Sequence, residues 1–339
     1  MARLLIEGFE SGHKSTLNID GTNIYEVGSS PPTGMTGSYY WNNGGAAYGY
    51  SEWFLPSEKT ELFFAIKVKA VVRLGNGPGI ITFYDSAGTA LAGLFYYLDG
   101  VVFKIRATRG AQNSGDVLGT GSVRVAQSSV TLVECRYVPS NSAGVMQVKV
   151  DGALDIDIDT GDATDTTAGL ESIAYVRFGS GIDNLGSGYD DIILDDASWI
   201  GPTNIQKIAP TGAGTSTQWD ASSGNNYECV NEIPYSDTDY ISTNVAEEID
   251  SYACGDLTGN IGTIKSLALT TRILFEGEPT PSGVAFIVRT GGSYYSGEAL
   301  HPPLSCGKEV EMFEENPGTA TAWTSGEING IEIGLKALT

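Results

Sequence analysis

Tyr189-Asp190-Asp191-Ile192-Ile193-Leu194-Asp195-Asp196-Ala197-Ser198-Trp199-Ile200-Gly201 reads as one β-strand with an acidic step at each end. Its centre, Ile192-Ile193-Leu194, is a short apolar run between two acidic steps. Such a run suits a strand covered on both faces, although periodicity alone also allows a buried helical turn. The flanks select the strand. Gly186, Gly188 and Gly201-Pro202 close it off, and it is too short for an ordinary helix. The composition changes after it, so it is expected to close a first domain, 1–202, ahead of a second, 203–339. Its natural neighbour is the opening segment, Arg3-Leu4-Leu5-Ile6-Glu7-Gly8-Phe9-Glu10.

Working outward, the chain reads as strands joined by tight turns. Glu61-Leu62-Phe63-Phe64-Ala65-Ile66-Lys67-Val68-Lys69 sets Leu62, Phe64, Ile66 and Val68 on one face and Phe63, Ala65, Lys67 and Lys69 on the other. Further strands are expected at 79–85, 91–97, 101–106, 131–138, 144–150, 153–159 and 173–178. Asp99-Gly100 and Asp151-Gly152 each lie between two such runs, a strong hairpin signal. About a dozen strands in roughly 200 residues predict a two-sheet jelly-roll sandwich. In the second half, Ile264 to Leu274, Gly283 to Thr290 and Lys308 to Phe313 read as strands. The end alternates Ile331, Ile333 and Leu335, and a second, smaller antiparallel β-sandwich is expected there. The fold class expected is all-β throughout.

Composition agrees. The chain has 339 residues, 44 of them Gly and 17 Tyr, and 41% are hydrophobic. No amphipathic pattern runs longer than about three helical turns. The net charge of −22, from 19 basic and 41 acidic residues, argues against nucleic acid and against anionic membranes as partners. No window approaches the ~18 apolar residues of a membrane span. Met1-Ala2-Arg3-Leu4-Leu5-Ile6 meets Glu7 and Gly8 before an apolar leader can form, so synthesis in a cytoplasm without a cleaved classical signal is expected. Cys135, Cys229, Cys254 and Cys306 fit no metal spacing, while a Cys229–Cys254 bridge stays open.

Two resemblances follow from these segments. The series LLIEGFES, FFAIKVKA, GIITFYDSAGTALAGLFYY, VVFKIRAT, TLVECRYV, VMQVKVDGALDIDI and YDDIILDD resembles the concanavalin A-like lectin/glucanase sandwich, in particular its laminin-G-like variety. That resemblance implies a closing strand beside the N-terminal one and a calcium near one rim. The pairing of the two modules, with PTGAGTSTQW and AWTSGEINGIEIGLK in the second, resembles tailed-bacteriophage virion proteins. It implies a virion location, other virion proteins as partners and a homo-oligomer.

Candidate sites are few. Asp155, Asp157 and Asp159 alternate with Leu154, Ile156 and Ile158, which reads as a strand with a solvated acidic face. An EF-hand loop needs glycine at its sixth position, and Thr160 stands there. Asp190, Asp191, Asp195 and Asp196 read as charged ends of a buried strand. No metal ligand is assigned, and no cofactor is expected beyond a possible structural calcium. Glu248-Ile249-Asp250 lacks the closing Glu of a glucanase strand. His13 and His301 fall in different proposed domains, so neither completes a nucleophile pair within one of them. No catalytic residue is nominated. Tyr39, Tyr40, Trp41, Tyr48, Tyr50 and Trp53, with Asn42 and Asn43 among them, have the chemistry of a glycan site: aromatic faces for sugar rings and amides for hydroxyls. Packing in the sandwich or at a subunit interface is the competing account of those aromatics. The expectation is a non-enzymatic structural protein of a tailed phage, a capsid decoration or a tail component. The alternative is a glycan-binding adhesin for a host surface glycan. A third reading, a hydrolase or lyase, would need a catalytic carboxylate that the sequence does not single out.

Overall fold

In the computed structural model the described residues are 3–7, 27–28, 40–42, 50–70, 79–110, 116–125, 129–159, 161, 163, 171–179, 187–232, 236–275, 281–301 and 307–339. The chain divides into two compact units, Met1–Ile205 and Gln206–Thr339. Among the described residues no helix is long and apolar enough to cross a membrane.

The first unit contains β1 (Arg3–Glu7), β2 (Val27–Gly28), β3 (Tyr40–Asn42), β4 (Tyr50–Lys59), β5 (Leu62–Ala70), β6 (Gly79–Tyr84) and β7 (Ala90–Asp99). It continues with β8 (Val102–Arg109), β9 (Val117–Thr120), β10 (Val130–Val138), β11 (Val145–Val150), β12 (Ala153–Ile158), β13 (Ile173–Gly179) and β14 (Ser187–Asp195). One sheet runs β12-β11-β10-β5-β14-β3-β2, with β1 also paired to β14; the other runs β4-β13-β6-β7-β8-β9. All pairings are antiparallel. The opening and closing strands are neighbours, with Leu5 opposite Leu194 and Ile6 opposite Ile193.

The period-2 patterning explains the core. Leu62, Phe64, Ile66 and Val68 of β5 join Phe83, Leu94, Ile105, Val176 and Phe178 of the other sheet in one buried cluster. Phe64 meets Phe178 with ring centroids 5.9 Å apart, and Phe83 meets Tyr137 at 4.6 Å. Each such side chain contributes roughly 1.5–3 kcal/mol by leaving water. The β11–β12 turn is the two-residue hairpin that its sequence demands: Asp151 and Gly152 both take left-handed φ, +49° and +83°.

The acidic closing strand is less exposed than the sequence suggests. Asp190, Asp191 and Asp195 are buried. A bulge between Asp190 and Ile193 puts Asp191 at φ +47°. Its carboxylate reaches Lys67 of β5 at 2.7 Å and accepts the Ile205 N–H at 3.2 Å. Asp195 accepts the Ala197 and Ser198 N–H groups, and Asp196 pairs with Lys59 at 2.8 Å. The segment after β14 folds back over this sheet. Ile200 and Ile205 pack on Ala65, Ile193 and Leu132, and the Gly201 N–H donates to the buried Glu134 carboxylate at 2.8 Å.

The second unit is built on a five-stranded antiparallel sheet, β15-β18-β23-β20-β21. Its strands are β15 (Pro210–Thr217), β16 (Asp220–Ala221), β17 (Ile241–Ser242), β18 (Ile249–Cys254), β19 (Leu267–Ile273), β20 (Gly283–Thr290), β21 (Ser293–Leu300), β22 (Gly307–Phe313) and β23 (Glu332–Leu338). The β19–β22 ribbon packs on that sheet, since Leu269 and Phe313 share a core with Val284, Phe286, Val288 and Leu335. Gly334 is required where β23 crosses β18: a Cβ there would collide with the Asp250 carbonyl. Three elements differ from the sequence expectation. The Thr-Gly-rich start forms edge strand β15, Ile249–Cys254 forms the interior strand β18, and Ser325–Asn329 forms a short helix, α1.

Candidate functional site

The face of the six-stranded sheet that turns away from the core carries a cluster of aromatic and charged side chains. Strand parity places it there. On β13, Val176 and Phe178 enter the core, so Tyr175 and Arg177 point outward. Register then sets Tyr175 between Phe54 of β4 and Tyr84 of β6, and Arg177 between Glu52 and Thr82.

Three rings stack in a row. Tyr84 and Tyr175 are 4.6 Å apart and nearly parallel at 4°, and Tyr175 meets Phe54 at 4.9 Å and 30°. Phe54 ends the row at 53% exposure. Arg177 runs alongside, its guanidinium 4.0 Å from the Tyr50 ring centre and 4.8 Å from that of Tyr84. It donates to Glu52 Oε1 from Nε at 2.9 Å and from Nη2 at 2.5 Å. Burial works against the Arg177 charge, but the Glu52 hydrogen bonds outweigh it and raise its pKa. Burial also lifts the Tyr84 and Tyr175 hydroxyls above their ordinary value. Both phenols are therefore protonated at neutral pH and able to donate.

Beside this cluster runs a row of small side chains, Thr82, Gly93 and Thr108, on consecutive strands. Both threonines are buried, and the Thr108 hydroxyl has no hydrogen-bond partner. A buried hydroxyl is rarely left so.

The aromatics singled out in the sequence do not form one surface. Tyr39 and Tyr48 lie outside the described residues. Tyr40 and Trp41 belong to β3, where the backbone pairs with β14 and β2; their side chains lie outside the described residues. Tyr50 joins the stack through Arg177. Trp53 takes the opposite face of β4 and packs against the core. Phe54, Tyr84, Tyr175, Arg177 and Glu52 were not singled out by sequence. The signal was present in the alternation Tyr175-Val176-Arg177-Phe178, which marks Tyr175 and Arg177 as outward once Val176 and Phe178 are read as core.

The carboxylate motifs are structural. Asp155 turns inward instead of lining a solvated face: its Oδ1 accepts Ser122 N–H at 2.6 Å and Val123 N–H at 2.7 Å, tying down the end of β9, while Leu154 is half exposed. The β11–β12 bulge explains this, because it shifts the register between Val148 and Lys149. Asp157 does face solvent and accepts Gln147 Nε2 at 2.8 Å. Asp250 is fully buried and takes both Oδ atoms to Asn226 Nδ2, at 2.9 and 3.0 Å. Among the described residues no cluster of three metal-ligating side chains occurs. Cys135, Cys229 and Cys254 carry free thiols, and burial pushes the Cys254 thiol up to about 12. His301 lies near the Ser282 carbonyl; His13 and Cys306 lie outside the described residues.

No protein-family profile matches the chain, and no curated protein matches it. Solved structures resemble part of it. A mutant of alginate lyase Aly36B in complex with alginate trisaccharide is similar at 14% identity and TM-score 0.41, over 57% of this chain and 95% of that one. The cellulose-induced protein Cip1 is similar at 14% identity and TM-score 0.41, over 59% and 100%. A carbohydrate esterase from Shiga toxin-encoding bacteriophage phi24B is similar at 13% identity and TM-score 0.42, over 58% and 99%. These likenesses concern the fold. Two expectations are corrected, that the chain is a non-enzymatic virion structural protein and that it is no enzyme: among the structures found are alginate lyases, a carbohydrate esterase and a carbohydrate-binding module, and neither expectation is carried further.

Proposed function

We propose that the first unit binds a glycan on the outward face of its six-stranded sheet. The observation that supports this reading is the stacked row of exposed Phe54, half-buried Tyr175 and buried Tyr84, edged by Tyr50 and the Arg177–Glu52 pair. Aromatic faces pack on the apolar faces of sugar rings, while fixed donors and acceptors at their rim read hydroxyls. Here the Tyr175 and Tyr84 hydroxyls donate, and Glu52, held in place by Arg177, accepts. Rigid two-torsion side chains on adjacent strands lose little conformational freedom when a ligand arrives. The test is affinity electrophoresis of the purified chain through gels carrying soluble polysaccharides. Retardation that vanishes in Tyr175→Ala is expected; a variant still retarded like the parent would overturn the reading.

A further inference from the structure

The same sheet face holds a second cation on an aromatic ring, outside the cluster just described. Arg106 of β8 follows the core residue Ile105 and precedes the core residue Ala107, so it shares the outward face with Tyr175. Its guanidinium lies 3.0 Å from the centre of the Tyr97 ring, and Nε donates to Thr120 Oγ1 at 3.0 Å. Ring and hydroxyl fix the plane of the fork and leave both Nη groups without a hydrogen-bond partner among the described residues. The nearby Asp99 carboxylate is held by Lys104 at 2.8 Å. Arg109, Arg136, Arg177, Arg272 and Arg289 each hold a carboxylate. Among the described residues Arg106 forms no ion pair, although, behind the Lys104 hydrogen bond, its charge helps lower the Asp99 pKa, in a chain with 41 acidic residues to 19 basic. In the order β13-β6-β7-β8 Thr108 is level with Arg177 three strand spacings away, and Arg106 lies two residues along from Thr108, about 16 Å from Arg177. The unpartnered Thr108 hydroxyl lies two residues along the same strand.

We infer that the glycan taken by this face is acidic, and that Arg106 seats its anionic group through the two free Nη donors. This inference rests on the glycan reading above and adds the substrate class. A planar fork with two parallel donors matches the paired oxygens of a uronate carboxylate or of a sulfate ester. The Tyr97 face stabilises the cation while the anion is absent.

The test is calorimetric titration of the whole chain with three oligosaccharides of matched length: an oligogalacturonate, a sulfated chondroitin fragment and a neutral cello-oligosaccharide. An acidic probe is expected to bind at least about tenfold tighter than the neutral one, the scale of a charge-assisted hydrogen bond. Arg106→Gln is expected to bring it down to the neutral level, and Tyr175→Ala to weaken every probe that binds. Preference for one acidic probe identifies the seated group as carboxylate or sulfate. Thr120→Val, which loosens Arg106 without removing its charge, is expected to cost a few-fold. Equal affinity for neutral and acidic probes would overturn the inference. So would an acidic affinity unmoved by Arg106→Gln; in either case a loss on Tyr175→Ala leaves the glycan reading standing. If none of the three probes binds, both fall.

Discussion

The two sheets of the first unit put similar chemistry to opposite uses on their outer faces. On the β5–β14 face the charges are buried beneath the returning segment: Lys67 meets Asp191, Glu134 meets the Gly201 N–H, and Ile200 and Ile205 cover the strands. On the β13–β6 face the charges stand beside an aromatic row that runs from buried Tyr84 out to exposed Phe54. Both faces carry an ion pair and aromatic rings; Trp199 stacks edge-on to Phe63 on the first as Tyr175 stacks on Tyr84 on the second. What separates them is cover. A covered ion pair is committed to the fold, because removing one partner strands a charge away from water. A rim pair remains available to a ligand and contributes little to stability.

That contrast can be broken in graded steps. Lys67→Met is expected to have the largest effect, a loss of about 3 kcal/mol or more in denaturant unfolding, because it leaves Asp191 buried beside an apolar chain; polysaccharide retardation should persist at temperatures where the variant is folded. Ile200→Ala should follow at about 2–3 kcal/mol, by opening a cavity under the covering segment, again without touching retardation. Tyr175→Ala should invert the pattern, costing roughly 1 kcal/mol of stability or less beyond its area and most of the glycan affinity; a stability loss matching that of Lys67→Met would erase the distinction. The smallest effect expected is that of Tyr84→Phe. Burial raises the Tyr84 hydroxyl above its ordinary value of 10.0. The folded state therefore keeps this proton when the unfolded chain has lost it, and the corresponding stability is intact below pH 10 and fades as pH rises through the folded value. Tyr84→Phe should blunt that alkaline decline in a pH series of melting temperatures and leave the curve below pH 9 unchanged.

A similar linkage distinguishes two carboxylates of the second unit. Burial tends to raise Glu332, but the N–H and hydroxyl of Thr215, Ser251 and Arg289 outweigh it and hold it below 4.5. Its stability is present above that value and lost as pH falls through the lowered one. Burial dominates at Asp250 and raises it despite the Asn226 bonds. Its penalty builds as pH rises from the ordinary value of 3.8 toward the raised one and is complete above it. Glu332→Gln should therefore flatten the acid limb of unfolding, whereas Asp250→Asn should remove a loss on its neutral side.

Much of the fold was legible because strands advertise themselves by parity. The run Leu62 to Lys69 placed four residues in the core and four outside, Asp151-Gly152 announced its hairpin, and the apolar triplet at 192–194 announced a covered strand whose neighbour is the first of the chain. The misses have physical causes too. Strand β15, with Thr, Gly and Ala in place of branched apolar residues, reads as loop by composition, and becomes a strand because β18 supplies its hydrogen-bond partners. Helix α1 carried a readable signal, the Thr324-x-x-Glu327 capping box, with Glu327 accepting the Thr324 N–H at 2.8 Å. The site was the least legible part. Its residues come from positions 50–54, 84 and 175–177, and no local pattern joins them.

What each strand could bury, where the chain had to turn, and the excess of acidic over basic groups follow from residue type and spacing alone. Which outward side chains meet depends on how the strands pair. Antiparallel registers between β4, β13 and β6 bring Phe54, Tyr175 and Tyr84 into one stack, and the chain folding back after β14 turns Asp191 from a surface charge into a buried one. Register and cover arise between segments distant in the chain, so they are properties of the packing and not of any stretch of residues.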